Sequence, residues 1–251
     1  MNRALLWDFD CVICDSLDEC LLTSYNAFLQ YKKGKSGFIR NLGDIPEGIR
    51  DFYYHARQYV RRPGEYLIIY EALEAEERLD DYIRFRKLLS EHILSIQGYE
   101  QAFFTARDRF RKGGLSDWLG LHHEYPWVNE KWQKLKETFE FYIVSNKDKV
   151  SISLILKHIG LSISGENIFG KEFSIEKTAI VEHIVSRGRF RTEEIYFIDD
   201  HYSHLMDLEK LGIRLFFATW GYGNAETSSR DGVVHLQKNV FDRQLLGGAD
   251  G

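Results

Sequence analysis

No run of apolar residues in this 251-residue chain approaches the length of a membrane span. Residues 1–20 also lack a basic leader followed by an apolar stretch. Both absences predict a cytoplasmic protein with no membrane role. Basic excess is missing too. The formal net charge is −5, whereas nucleic-acid binders carry basic patches, so no nucleic-acid partner is expected. Cysteine is scarce, and Cys11, Cys14 and Cys20 crowd into one stretch. An odd, clustered count excludes a disulfide framework, and Cys11-Val12-Ile13-Cys14 has no second such pair to complete a zinc site. These thiols read as packing residues. Internal repeats and low-complexity segments are absent as well.

What is present is ordinary soluble composition, with 44% apolar and 28% charged residues. The length allows one large domain, or a core carrying a substantial insertion, and can bury a sizeable core without staples. The segment Leu5-Leu6-Trp7-Asp8-Phe9-Asp10 begins apolar and ends with two acids two residues apart. Neighbouring carboxylates repel unless a cation or a shared proton intervenes. The blander alternative is a solvated acidic turn.

Further along, the text changes character. Residues 17–31 have helical apolar spacing through Leu17, Leu21, Leu22, Tyr25, Phe28 and Leu29. From Glu47 to about Lys112 strong helix formers dominate, with expected helices at 47–60, 64–77, 79–95 and 99–111. Arg62-Pro63-Gly64 and Gly98 are the expected breaks between them. Strand–helix alternation then takes over. Strands are expected at Phe139–Val144, Asn167–Phe169, Ile195–Ile198 and Leu215–Ala218, with helices at 149–159, 177–186 and 203–211. Such alternation implies a parallel sheet with helices on both faces. The fold class is therefore α/β, with a Rossmann-like parallel sheet core formed by residues 1–14 and 126–251. Residues 15–125 form an inserted all-α domain.

The chemistry falls at strand ends on one sheet edge: Asp8 and Asp10, then Ser145, then Asp199 and Asp200, while Lys177 opens a helix. Converging carboxylates of this kind suit Mg²⁺, which is usually shared with a substrate phosphate. Ser145, backbone N–H groups and Lys177 could hold phosphate oxygens. Phosphoryl transfer through an aspartyl-phosphate is then a coherent reading.

In this pattern the sequence resembles the haloacid dehalogenase superfamily, and within it the phosphatases with an inserted helical cap. Asp8-Phe9-Asp10-Cys11-Val12 is similar to the family's DxD loop, and Val144-Ser145-Asn146-Lys147 to its second motif. Lys177 in Ser174-Ile175-Glu176-Lys177 is similar to the third, and Ile198-Asp199-Asp200 to the fourth. The resemblance covers the core segments and not the insert. It implies that Asp8 is the nucleophile and Asp10 the general acid and base. Ser145, Asn146 and Lys177 would bind phosphate, and Asp8, Asp10, Asp199 and Asp200 would hold Mg²⁺, Asp10 through its carbonyl. Three positions depart from the pattern. Cys11 stands where glycine is usual, His204 where a further acid is usual, and Lys171 competes with Lys177 for the lysine role.

The implied activity is Mg²⁺-dependent hydrolysis of a small phosphorylated metabolite. A phosphomutase, a non-catalytic binding protein and a phosphoacceptor switch are the alternatives, and a dehalogenase would need neither Asp10 nor a metal. Lys177 could instead be a solvated helix-start residue, and Ser145 a plain N-cap. Asp148 reads as a cap, and His201 and His204 as surface or packing residues. Arg57, Arg61 and Arg62 could clamp an anionic part of the substrate, or could form an ordinary exposed basic face.

Overall fold

The computed structural model describes residues 3–223 and 232–246. The expected outer limits of the core, residues 1–2 and 247–251, lie outside the described residues, as do residues 224–231. The chain divides into two compact units. One comprises residues 1–15 and 123–251, the other Ser16–His122.

The first unit is an α/β layer structure. Its strands are β1 (Arg3–Trp7), the short pair β2 (Cys14–Asp15) and β3 (His123–Glu124), β4 (Phe139–Val144), β5 (Ile168–Phe169), β6 (Ile195–Asp199), β7 (Arg214–Ala218) and β8 (Val233–Leu236). Six of these form one all-parallel sheet in the order β5-β4-β1-β6-β7-β8. β2 and β3 pair antiparallel where the chain leaves this unit and re-enters it. The strand order reverses on either side of β1, and crevices at such switch points are where open α/β sheets bind ligands.

Alternation along β1 explains why both faces are covered. Ala4 and Leu6 pack with Ile180, Val181 and Leu205 on one face. On the other face the Trp7 ring lies 5.9 Å from Trp132 and 5.8 Å from Phe241. The first group comes from α9 (Lys177–Ser186) and α10 (Tyr202–Asp207), the second from α7 (Pro126–Leu135) and α11 (Phe241–Leu246). α8 (Lys149–His158) follows β4, and its N-cap Asp148 accepts a hydrogen bond from the Ser151 N–H. That is the capping role the sequence indicated.

The second unit is all-helical: α1 (Leu17–Tyr31), α2 (Glu47–Ala56), α3 (Tyr66–Glu74), α4 (Tyr82–Glu91), α5 (Ile93–Gly113) and α6 (Leu115–Leu119). Gly98 does not break a helix as expected but lies inside α5. A Cβ there would stand 2.7 Å from the Tyr31 hydroxyl, so the missing side chain lets α5 approach α1. No helix among the described residues is long and apolar enough to cross a membrane. All three cysteines are buried without a disulfide.

Candidate active site

Strand register brings the acidic ends together. Trp7 is level with Ile143 of β4 on one side and Ile198 of β6 on the other. Asp8, Ser145 and the Asp199-Asp200 pair therefore emerge at one edge of the sheet. The Asp8 N–H donates to the Ile198 carbonyl at 2.8 Å, extending the ladder to the first acid. Asp8, Asp199 and Asp200 are all buried, and each offers a carboxylate oxygen within 4.8 Å of the others.

Two buried lysines pair with three of the four acids. Lys177, in the first turn of α9, places its Nζ 2.9 Å from Asp8 Oδ1 and 2.7 Å from Asp199 Oδ2. The Lys171 backbone N–H donates to the Lys147 carbonyl at 3.2 Å. The second buried ammonium is Lys147, whose Nζ is 3.0 Å from Asp10 Oδ1. Asp10 thus stands outside the three-carboxylate cluster and is paired with a cation of its own. Within the cluster, three ionised carboxylates and the Lys177 ammonium leave two negative charges, which one divalent cation balances.

Local electrostatics sharpen this. Burial pushes the Asp8 carboxyl well above its ordinary value; Lys177 opposes the rise, and Asp199 and Asp200 add to it. Burial works against ionised Asp199 as well, but the charges of Lys177 and His204 outweigh it and hold that carboxyl below the usual range. Lys177 is held protonated, because Asp199 and Asp8 overcome the penalty of its burial. A cation against Asp8 would favour its ionised, nucleophilic form.

Several partners were not legible in the sequence. His204, read as surface or packing, directs Nδ1 at Asp199, 3.2 Å from Oδ2. His201 is buried, and its N–H donates to Asp199 Oδ1 at 2.7 Å. Asp200 is seated by the loop after β7. The Tyr222 N–H donates to its Oδ2 at 2.8 Å. Cβ atoms at Gly221 and Gly223 would fall 2.1 Å from the Asp200 Cβ and 1.5 Å from its carbonyl oxygen. Only glycine fits there. Trp220-Gly221-Tyr222-Gly223 after a strand was the available signal.

Ser145 is not a helix cap. It is buried, and its Oγ accepts from the Lys147 N–H at 3.2 Å. Asn146 lies between them in the same turn. Cys11 adopts the left-handed backbone region, at φ +64°, which costs a side-chain-bearing residue about 1–2 kcal/mol. Its N–H donates to the Cys14 carbonyl at 2.7 Å, closing the turn that follows Asp10. In the helical unit, Arg57 Nη1 donates to the Val60 carbonyl at 2.9 Å and its guanidinium lies 5.5 Å from the Tyr66 ring. The Arg61 N–H donates to Glu65 Oε2 at 2.8 Å, and Arg62 Nε lies 3.7 Å from Glu65 Oε1.

No protein-family model matches the sequence, and no curated protein matches it significantly. Solved structures do. A haloacid dehalogenase-like hydrolase from Streptococcus pneumoniae superposes with a TM-score of 0.62 at 14% identity, covering 98% of this chain and 97% of its own. A Lactobacillus delbrueckii protein assigned as a phosphoglycolate phosphatase gives a TM-score of 0.67 at 12% identity, covering 98% and 99%. The chain has the haloacid dehalogenase-like fold. A Bacillus subtilis protein assigned as a hydrolase of this type, in a magnesium-bound structure, gives a TM-score of 0.58 at 17% identity, covering 97% of this chain and 98% of its own. Within the haloacid dehalogenase-like fold of this chain, the cluster at Asp8, Asp199 and Asp200 is a hard-oxygen donor set, which fits a divalent cation such as Mg²⁺.

Proposed function

We propose that the protein is a Mg²⁺-dependent phosphatase that hydrolyses a small phosphomonoester through an aspartyl-phosphate on Asp8. The observation behind this reading is the Asp8–Asp199–Asp200 cluster with Lys177 bridging Asp8 and Asp199. Asp8, Asp199 and Asp200, with the Asp10 carbonyl, would hold the metal, which supplies charge neutralisation during phosphoryl transfer.

The chain's own groups then have distinct tasks. An Asp8 oxygen attacks phosphorus in line, the bond to the leaving oxygen breaks, and the Asp10 carboxyl protonates that oxygen so an alcohol departs. Asp10, now a carboxylate, takes a proton from a water that attacks phosphorus. The bond to Asp8 breaks, and Asp8 and phosphate are released as anions. Ser145, Asn146 and the adjacent amides orient the phosphoryl oxygens, and Lys177 balances charge between them and Asp8. Three buried cysteines without a disulfide suit a reducing, cytoplasmic setting. Arg57 and Arg61 would meet an anionic portion of the substrate.

The test is a panel of phosphomonoesters with and without Mg²⁺, using Asp8→Asn as the blank. The wild type should release phosphate only with the metal, and the blank none. Equal release by the two proteins overturns the assignment. Transfer of the phosphoryl group without free phosphate would make the enzyme a mutase. An unchanged KM in Arg57→Ala and Arg61→Ala removes the arginine contacts alone.

A further inference from the structure

A buried lysine needs a reason. Ordering its side chain costs about 1.5–2 kcal/mol in rotamer freedom, and taking its charge out of water costs more unless a partner compensates. Lys147 is 1% exposed, and its ammonium pairs with Asp10 across 3.0 Å. Its backbone is fixed on both sides. The N–H donates to Ser145 Oγ, the carbonyl accepts from the Lys171 N–H, and the next residue, Asp148, caps α8. Lys147 is thus a stiff post joining the phosphate-side turn after β4 to the second acid after β1. The other buried ammonium is already engaged with Asp8 and Asp199.

We propose that Lys147 is a positioning residue for Asp10. By holding Oδ1 in an ion pair, it biases where Oδ2 points, and so aims the carboxyl that passes the proton to and from the reacting oxygens. The proposal rests on the phosphatase reading above, in which Asp10 serves the leaving oxygen first and the attacking water second. Lys147 touches neither substrate nor metal in this scheme and acts through Asp10.

A matched pair of substrates tests it on the full-length protein with Mg²⁺. 4-Nitrophenyl phosphate and 4-nitrobenzyl phosphate are alike in size. The phenolate departs unaided, whereas the benzyl alkoxide needs a proton. Well-placed general acids contribute about 10²–10⁴-fold. Lys147→Met is therefore expected to lower kcat for the benzyl ester by on the order of 10²-fold, and the first step on the phenyl ester by less than about tenfold. On the phenyl ester it should also show a burst of nitrophenolate followed by slower turnover, because Asp10 must still activate water. Lys147→Arg should recover part of the benzyl activity.

The ratio of first-step rates for the two esters, taken within one preparation, does not depend on how much of the variant is folded, and Lys147→Gln serves as a second neutral replacement. An unchanged ratio in both neutral variants, with no burst, overturns the positioning role while leaving the phosphatase reading intact. Failure of the wild type on both esters, and on the whole panel, would instead remove the phosphatase reading itself.

Discussion

Both units of the protein bury charge, and they do it in opposite ways. In the helical unit, Glu19 of α1 is sealed from solvent and fully answered. Arg107 Nε and Nη2 donate to its two oxygens at 2.8 Å each, Thr23 Oγ1 donates at 2.7 Å, and Trp118 Nε1 donates at 3.3 Å. The Arg107 guanidinium balances the Glu19 carboxylate, and both of its oxygens accept hydrogen bonds. In the α/β unit, Asp8, Asp199 and Asp200 crowd together with Lys177 as the cation that bridges two of them. The first arrangement answers its buried acid with a buried base. The second carries surplus negative charge at a sheet switch point, which is what a cation-binding reaction centre requires.

Paired substitutions would break that contrast or confirm it. Asp8→Asn should abolish phosphate release, a loss on the order of 10⁴-fold for a nucleophile. It should leave cation-free stability unchanged or slightly raised, since it removes a carboxylate that burial and its acidic neighbours already disfavour. Glu19→Gln should do the reverse. It leaves Arg107 buried without its counter-charge and should cost about 3–5 kcal/mol. Urea unfolding and phosphate release, measured on both variants, check the crossover. A stability loss in Asp8→Asn as large as that in Glu19→Gln would mean that the two sites are alike.

Gly223 offers a subtler break. Its added Cβ would collide with the Asp200 carbonyl oxygen, shifting Asp200 without removing any of the three acids. Supporting groups around metal ligands are typically worth 10–100-fold in affinity. Gly223→Ala should weaken Mg²⁺ binding by about that factor, read from the metal-dependent rise in Tm, and should also lower cation-free stability, because the added Cβ meets backbone rather than a side chain that can move aside.

The contrast also explains what could be read from the sequence. Periodicity reports which face of an element is buried, so Phe139–Val144 and Lys177–Ser186 have the limits that their apolar pattern indicates. The strand ends bearing Asp8 and Asp199 follow from the same reading. Val233–Leu236 escaped it, because this edge strand is only four residues long and buries just Leu236 fully, too little for a periodic pattern to show. Pairings between distant residues leave no local trace. Arg107 is 88 positions from Glu19, and nothing near Lys147 in the chain announces Asp10. His204 reads as a surface or packing residue, since Mg²⁺ prefers oxygen ligands, yet its ring faces Asp199. Cys11 shows that a residue type can be overruled by its surroundings, since the turn holds it in a conformation glycine would reach more easily.

The smallest effect concerns pH, and the sign differs between the two acids that Lys177 joins. The ordinary carboxyl value is 3.8, and Asp8 is raised above it in the fold. Its proton contributes stability that is complete below 3.8 and is lost as pH rises through the raised value. Asp199 is depressed, so its contribution is complete above 3.8 and is lost as pH falls through the lower value. A divalent cation at this cluster must displace the Asp8 proton. Its affinity should therefore rise with pH by up to about tenfold per unit, then level off above the Asp8 value. The shift in Tm produced by a fixed Mg²⁺ concentration reports that affinity. As pH rises above 3.8 the shift should grow in the wild type and stay nearly flat in Asp8→Asn. The same slope in both proteins would place the competing proton on another group, and the surplus charge that sets this site apart from the Glu19–Arg107 pair would not reside on Asp8.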